Sequence, residues 1–170
     1  MRTFVLGLVV TILTALLLKF QGVGLITTNT PLGIIDLEFC SNKQELALIL
    51  ASWPDGIATW NVILDFLFLL SYGSLFYFGT KLLYIRAGKN RFMAFASFML
   101  KLSFLPALLD IGENILLLFT LNQLQLNFTL AVTPVLAAAK FILAAILVLY
   151  LLVSLPLSYA LSKKTVQLSE

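Results

Sequence analysis

The sequence has no histidine and a single cysteine, Cys40, in 170 residues, and only 11% of its residues are charged. Without histidine the chain lacks the commonest metal ligand and the usual general base at neutral pH. One cysteine excludes an internal disulfide and any CxxC or thiolate-cluster metal site. Charge is scarce against the roughly one quarter of an ordinary soluble domain, which excludes a disordered or collagen-like chain. Apolar residues are abundant instead, at 61% of the chain, and the mean hydropathy is +1.03. This is the composition of a membrane protein.

A bilayer core about 30 Å thick needs about 20 mostly apolar helical residues to cross it. Four stretches qualify, at 3–20, 57–82, 92–121 and 128–155. They leave 21–56 as the only long connection, so residues 1–170 are expected to form a single transmembrane domain. The expected fold is an all-α, antiparallel four-helix transmembrane bundle. Arg2 followed by an apolar run could also open a signal peptide, but Phe20-Gln21-Gly22-Val23 is a poor cleavage site. The first run is therefore expected to remain as a span.

Orientation follows from the bases, which concentrate in cytoplasmic loops. Lys81, Arg86, Lys89 and Arg91 flank the connection between the second and third spans, with no acid among them. The 21–56 loop carries Asp36, Glu38, Glu45 and Asp55 against Lys43 alone, a formal −3. With Lys163 and Lys164 in the tail, both termini are expected on the cytoplasmic side. The net charge of +3 does not indicate a nucleic-acid partner, because seven of the eleven bases, Arg2 at the start and these six, sit at topological positions. The expected partners are the lipid bilayer and either further copies of the chain or a larger membrane complex.

The outer loop is too apolar for a solvated linker. Thr30-Pro31 has the form of a helix start, and Ser41 with Gln44 has capping-box spacing ahead of a short helix ending near Trp53. Two short helices lying at the outer interface are predicted. Trp53 and Trp60 are predicted to anchor the second span at that interface. Cys40 is expected to be a small buried apolar residue.

Five ionisable residues fall inside the spans: Asp65, Lys101, Asp110, Glu113 and Lys140. At 1.5 Å of rise per residue, Asp65 and Glu113 lie about 12 Å from the outer ends of their spans, Asp110 about 16 Å and Lys140 about 18 Å. These four share one depth in the outer half; Lys101 lies nearer the cytoplasm and can snorkel. On the third span Pro106, Asp110, Glu113 and Asn114 share a helical face, with the proline placed to bend the helix. On the second, Asn61, Asp65, Phe68 and Tyr72 form a stripe, and on the fourth Thr133 aligns with Lys140. Such stripes must face the bundle interior. Asp65, Asp110 and Glu113 against Lys140 leave a formal −2, so the cluster should hold a proton, bind a cation or meet a cationic ligand. Small residues, Gly73 and Gly79 on the second span and Ala137, Ala138, Ala139, Ala144 and Ala145 on the fourth, predict close helix contacts.

The segments Thr-Pro-Leu-Gly-Ile-Ile-Asp-Leu-Glu at 30–38, Trp53, Asp65-Phe-Leu-Phe-Leu-Leu-Ser-Tyr72 and Leu-Asp110-Ile-Gly-Glu113-Asn114 resemble a family of small bacterial four-span inner-membrane proteins. The resemblance covers the outer loop and the second and third spans and supplies no activity. It implies a bacterial inner-membrane location and groups Glu38 with the intramembrane acids.

The candidate ligand-binding residues are therefore Asp65, Tyr72, Asp110, Glu113, Asn114, Lys140 and Glu38. The leading expectation is an acidic site that binds or transfers a proton, a cation or a polar lipid headgroup. A lipid-modifying enzyme using carboxylates or a divalent metal is an alternative, as is a noncatalytic subunit or assembly factor of a membrane complex. A purely structural role, with charged pairs holding helices together, stands beside all three. Spacing assigns no cofactor, and no activated serine or cysteine nucleophile is evident.

Overall fold

A computed structural model describes residues 2–87 and 92–167. Every regular element among the described residues is helical: α1 (Arg2–Gln21), a 3-10 turn (Gly22–Leu25), α2 (Ile34–Glu38), α3 (Lys43–Ser52), α4 (Ile57–Ala87), α5 (Phe92–Leu102), α6 (Leu105–Leu121) and α7 (Leu126–Gln167). Among the described residues four helical stretches are long and apolar enough to cross a membrane, the pattern of a multi-pass membrane protein. An apolar solvent offers the backbone no hydrogen bonds, so a spanning segment must satisfy its own N–H and C=O groups, as a helix does. Lys89 and Arg91, part of the inner-loop charge, lie outside the described residues, as do the side chains of Lys163 and Lys164.

The third stretch is not one helix. α5 ends at Leu102 and α6 begins at Leu105, with Pro106 in its first turn. Proline has no N–H to donate and its ring clashes with the carbonyl four residues back, so the ladder is interrupted ahead of it. The expected bend is a complete break. The second and fourth helices exceed the expected 57–82 and 128–155: α4 reaches Ala87 and α7 reaches Gln167, with Pro134 and Pro156 inside it.

Contacts between chemically small or polar partners fix the helix directions. Gly7 of α1 faces Leu75 of α4, and Asn61 of α4 reaches the Leu18 carbonyl, so these two helices run oppositely. Gly73 of α4 faces Ala107 of α6, and Gly112 of α6 faces Leu136 of α7. Gly79 lies against Leu151, which sets α7 alongside α4 in the same direction. α4 is thus central, and α1, which buries none of its residues, packs on its flank.

Two apolar clusters divide the interior. One gathers Leu25, Leu37, Cys40, Leu46, Ile49 and Trp53 from the loop with Val62, Leu117 and Leu130 from the spans. The other joins Leu69, Phe76, Leu83, Met99, Leu147 and Leu151. The first is the reason for the loop's apolar composition: 22–56 folds back onto the ends of α4, α6 and α7.

The loop departs from expectation in three places. Thr30-Pro31 does not start a helix; α2 begins after Gly33, whose φ of 65° and ψ of −126° suit glycine alone. Thr30 instead donates to the Leu25 carbonyl at 2.7 Å. The α3 cap is Asn42 and not Ser41: Glu45 donates its N–H to Asn42 Oδ1 at 2.8 Å, and its carboxylate accepts from Ser41 N–H. The capping box is one residue later because Glu45, not Gln44, supplies the returning acceptor. Trp53 is buried, with Nε1–H donating to Leu25 O at 2.8 Å and Thr30 Oγ1 at 3.0 Å, so it is a core residue that pins the loop and not an interfacial anchor. Trp60 is 62% exposed, as an anchor should be.

Candidate functional site

Between the two apolar clusters lies a polar one, built on four elements. Lys140 projects from α7 and sits at its centre. Its ammonium donates to Asp110 Oδ1 of α6 at 2.8 Å, lies 2.9 Å from Glu113 Oε2 of the same helix, and lies 3.6 Å from Glu38 Oε2 of α2. The i, i+3 spacing of Asp110 and Glu113 places both carboxylates on the face that α6 turns to α7.

The remaining acceptor of Asp110 is satisfied by α4: the Tyr72 hydroxyl donates to Oδ2 at 2.8 Å. One turn further along α6, Asn114 donates through Nδ2 to Asp65 Oδ2 of α4 at 2.7 Å. These two bonds couple α4 to α6 at both ends of the polar patch. Asn61, predicted to share the stripe, turns the other way and donates to Gln21 Oε1 of α1 at 2.6 Å. It belongs to the α1–α4 contact and not to the cluster. Lys101 is exposed, well separated from these groups along the chain's third span.

The structure therefore brings Glu38, Asp65, Tyr72, Asp110, Glu113, Asn114 and Lys140 into one connected assembly. Three carboxyls meet one ammonium and a fourth, Asp65, is held beside them by Asn114, a formal −3 when all are ionised, one charge more than the three intramembrane acids give alone. Glu113 is the most enclosed, at 0% exposure, and neither of its oxygens has a hydrogen-bond donor. Its interaction with Lys140 is one of charge and proximity. Glu38 Oε2 also has no donor, and the Glu38 and Glu113 carboxyls approach the same ammonium and influence each other's titration. Burial pushes the Glu38 carboxyl above the usual carboxylate range, with Lys140 opposing and Asp110 reinforcing the shift. A carboxyl–carboxylate hydrogen bond needs one proton between two acids.

Sequence reasoning did not foresee Phe141. Its ring centroid is 4.9 Å from the Lys140 ammonium, and the ring stacks with Phe39 at 6.3 Å. Phe39 follows Glu38 directly, so this ring pair and the Glu38–Lys140 contact hold the same loop turn against α7. Adjacency of Lys140 and Phe141 gave no signal, because neighbouring helical residues diverge by about 100°. Thr133, aligned with Lys140 in sequence, is buried with no hydrogen-bond partner on Oγ1.

The arrangement bears on metal binding. Among the described residues, no group of three or more His, Cys, Asp or Glu side chains could hold a metal ion. The place where the carboxylates converge is filled by the lysine ammonium. A groove of about 480 Å³ lies elsewhere, between α1 and α4, and is lined by Leu6, Gly7, Val10, Leu67, Leu70 and neighbouring residues. It is an apolar, outward-open furrow of the kind a lipid chain fills.

The chain matches no protein-family model, and no curated protein or solved structure matches it significantly.

Proposed function

We propose that this chain is a bacterial inner-membrane protein, with both termini in the cytoplasm, whose buried carboxyl–lysine cluster binds a proton and exchanges it with the outer aqueous phase. The whole chain acts as one transmembrane domain, solvated by lipid on the outward sides of its helices, with α2 and α3 at the outer interface. One observation carries the reading: three carboxyls converge on a single ammonium with Asp65 close by, and the most enclosed of them, Glu113, has no hydrogen-bond donor on Oε1.

The argument is one of charge in a medium of low dielectric. Placing an uncompensated carboxylate in an apolar interior is costly enough that the group takes up a proton instead. Lys140 offsets one negative charge, and Tyr72 and Asn114 stabilise two of the carboxylates by hydrogen bonds, but charge remains in excess. A bound metal ion is a poorer answer than a proton, because Lys140 occupies the point of convergence. Lipid chemistry at the cluster would require a reacting atom to reach Glu113, which is fully enclosed.

Potentiometric titration of the purified full chain in detergent tests this reading. The wild type should retain at least one cluster proton at pH 7 that Glu38→Gln and Glu113→Gln no longer titrate. Equal proton counts between pH 5 and 9 for the wild type and both variants would overturn it.

A further inference from the structure

Glu38 is the one acid of the cluster that does not sit on a spanning helix. It lies at the end of α2, which has five residues and begins at a glycine-only conformation. We propose that α2 is a proton-operated lid over the outer side of the cluster. It is closed while Glu38 and Glu113 share a proton above Lys140 and lifts away when both are ionised. The inference rests on the proton-binding reading and adds to it the moving part and the route of exchange.

The geometry singles out Glu38 as the weakest member. Its oxygen stands 3.6 Å from the Lys140 ammonium, against 2.8 Å for Asp110 and 2.9 Å for Glu113. Lys140 is therefore already engaged by two closer carboxylates. When ionised, Glu38 faces Asp110 and Glu113 from α6 and Asp65 from α4, with Lys140 from α7 and the Tyr72 hydroxyl as the other polar groups of the cluster. Burial, reinforced by Asp110, then opposes the charged form more than the shared ammonium supports it. α2 is the one short element of the cluster and ends in loop on both sides, so lifting it withdraws Leu37, Cys40 and the Phe39–Phe141 stack from their contacts, while α4, α6 and α7 are held along their lengths.

The sign of the pH effect follows by linkage. Glu38 titrates higher in the enclosed position than in water, where its ordinary value is 4.5. The closed state thus binds the proton more tightly. Closure is fully favoured below the ordinary carboxylate range and is lost as pH rises through the elevated value. One proton per opening changes the open-to-closed ratio by up to about tenfold per pH unit.

The chain carries its own reporter. Cys40, two residues beyond Glu38, is fully buried, and burial pushes its thiol up to about 11. Its alkylation therefore tracks lifting of this turn. The test is the rate of labelling by a membrane-impermeant maleimide on the full chain in detergent, for the wild type, Glu38→Gln and Glu113→Gln across pH 5–9. Dividing wild-type by variant rates at each pH cancels the titration of the thiol itself. Either substitution keeps a hydrogen-bonding group while removing one of the two charges, so it holds the lid closed. The wild-type to variant ratio should rise with pH, by up to about tenfold per unit across the transition. A ratio that stays flat for both variants overturns the lid. It does so even where the proton titration still shows a retained proton, so the two readings fail separately.

Discussion

Lys140 of α7 donates a 2.8 Å hydrogen bond to Asp110 of α6, and the other oxygen of Asp110 accepts from Tyr72 of α4 at the same distance. One carboxylate thereby joins three spanning helices. Removing one partner of a buried ion pair leaves the other uncompensated, typically at about 3–5 kcal/mol. Lys140→Met should destabilise the chain by that order at neutral pH, as measured by denaturant unfolding in mixed micelles. Much of the loss should return at acidic pH, where the stranded carboxyls become neutral. A loss independent of pH would show that Lys140 acts through packing alone.

The Tyr72–Asp110 and Asn114–Asp65 bonds tie α4 to α6 at separate points. Interhelical hydrogen bonds inside membrane proteins average about 0.6 kcal/mol and reach about 1.7 kcal/mol. Tyr72→Phe, which removes the donor and keeps the ring, should cost about 1 kcal/mol by the same unfolding measurement. Asn114→Ala should cost a similar amount. A double variant that costs less than the sum of the singles would place both bonds in one cooperative network.

The 22–56 loop depends on the Trp53 indole, which donates to Leu25 O and Thr30 Oγ1. Trp53→Phe keeps most of the ring volume but removes one of the two donors to the Leu25 carbonyl, which retains Thr30, at a cost of about 0.5–1.5 kcal/mol. Amide hydrogen exchange should accelerate across the 3-10 turn and α3 while α6 is unchanged. Equal exchange in the loop would contradict the pinning role.

Gly73 and Gly79 differ in what a larger side chain would meet. A Cβ at Gly73 would stand 3.1 Å from Ala107 Cβ, an atom fixed to the α6 backbone. At Gly79 the nearest atoms, at 2.9 Å, are the far ends of Leu151 and Phe4, which can turn aside. Gly73→Val should therefore separate α4 from α6 and destabilise by about 1–3 kcal/mol. Gly79→Ala should be milder. The order of the two midpoints in denaturant checks the account.

The all-helical fold and the four helices long and apolar enough to cross a membrane were legible because composition and run length act along the chain. The shared face of Asp110, Glu113 and Asn114 was legible because helical periodicity alone sets it. The depth of Glu38 was not, since nothing local says that a loop helix turns back into the bundle; only the family resemblance grouped it with the other acids. The break before Pro106 was placed correctly but underestimated, because proline's effect depends on whether neighbours hold the two halves in line. Trp53 was misplaced because interfacial and core tryptophans look alike until the partners of the indole N–H are known. The polar stripe of α4 divided for a similar reason: Asn61 found Gln21 on α1, while Asp65 and Tyr72 found α6.

The claim that the buried cluster holds a proton is tested most directly by infrared spectroscopy of the purified chain in detergent at pH 7. A protonated carboxyl has a C=O stretch distinct from the carboxylate bands, and in deuterated buffer the band shifts. The account predicts such a band in the wild type that is removed or altered in both Glu38→Gln and Glu113→Gln. A wild-type spectrum with carboxylate bands alone would contradict it.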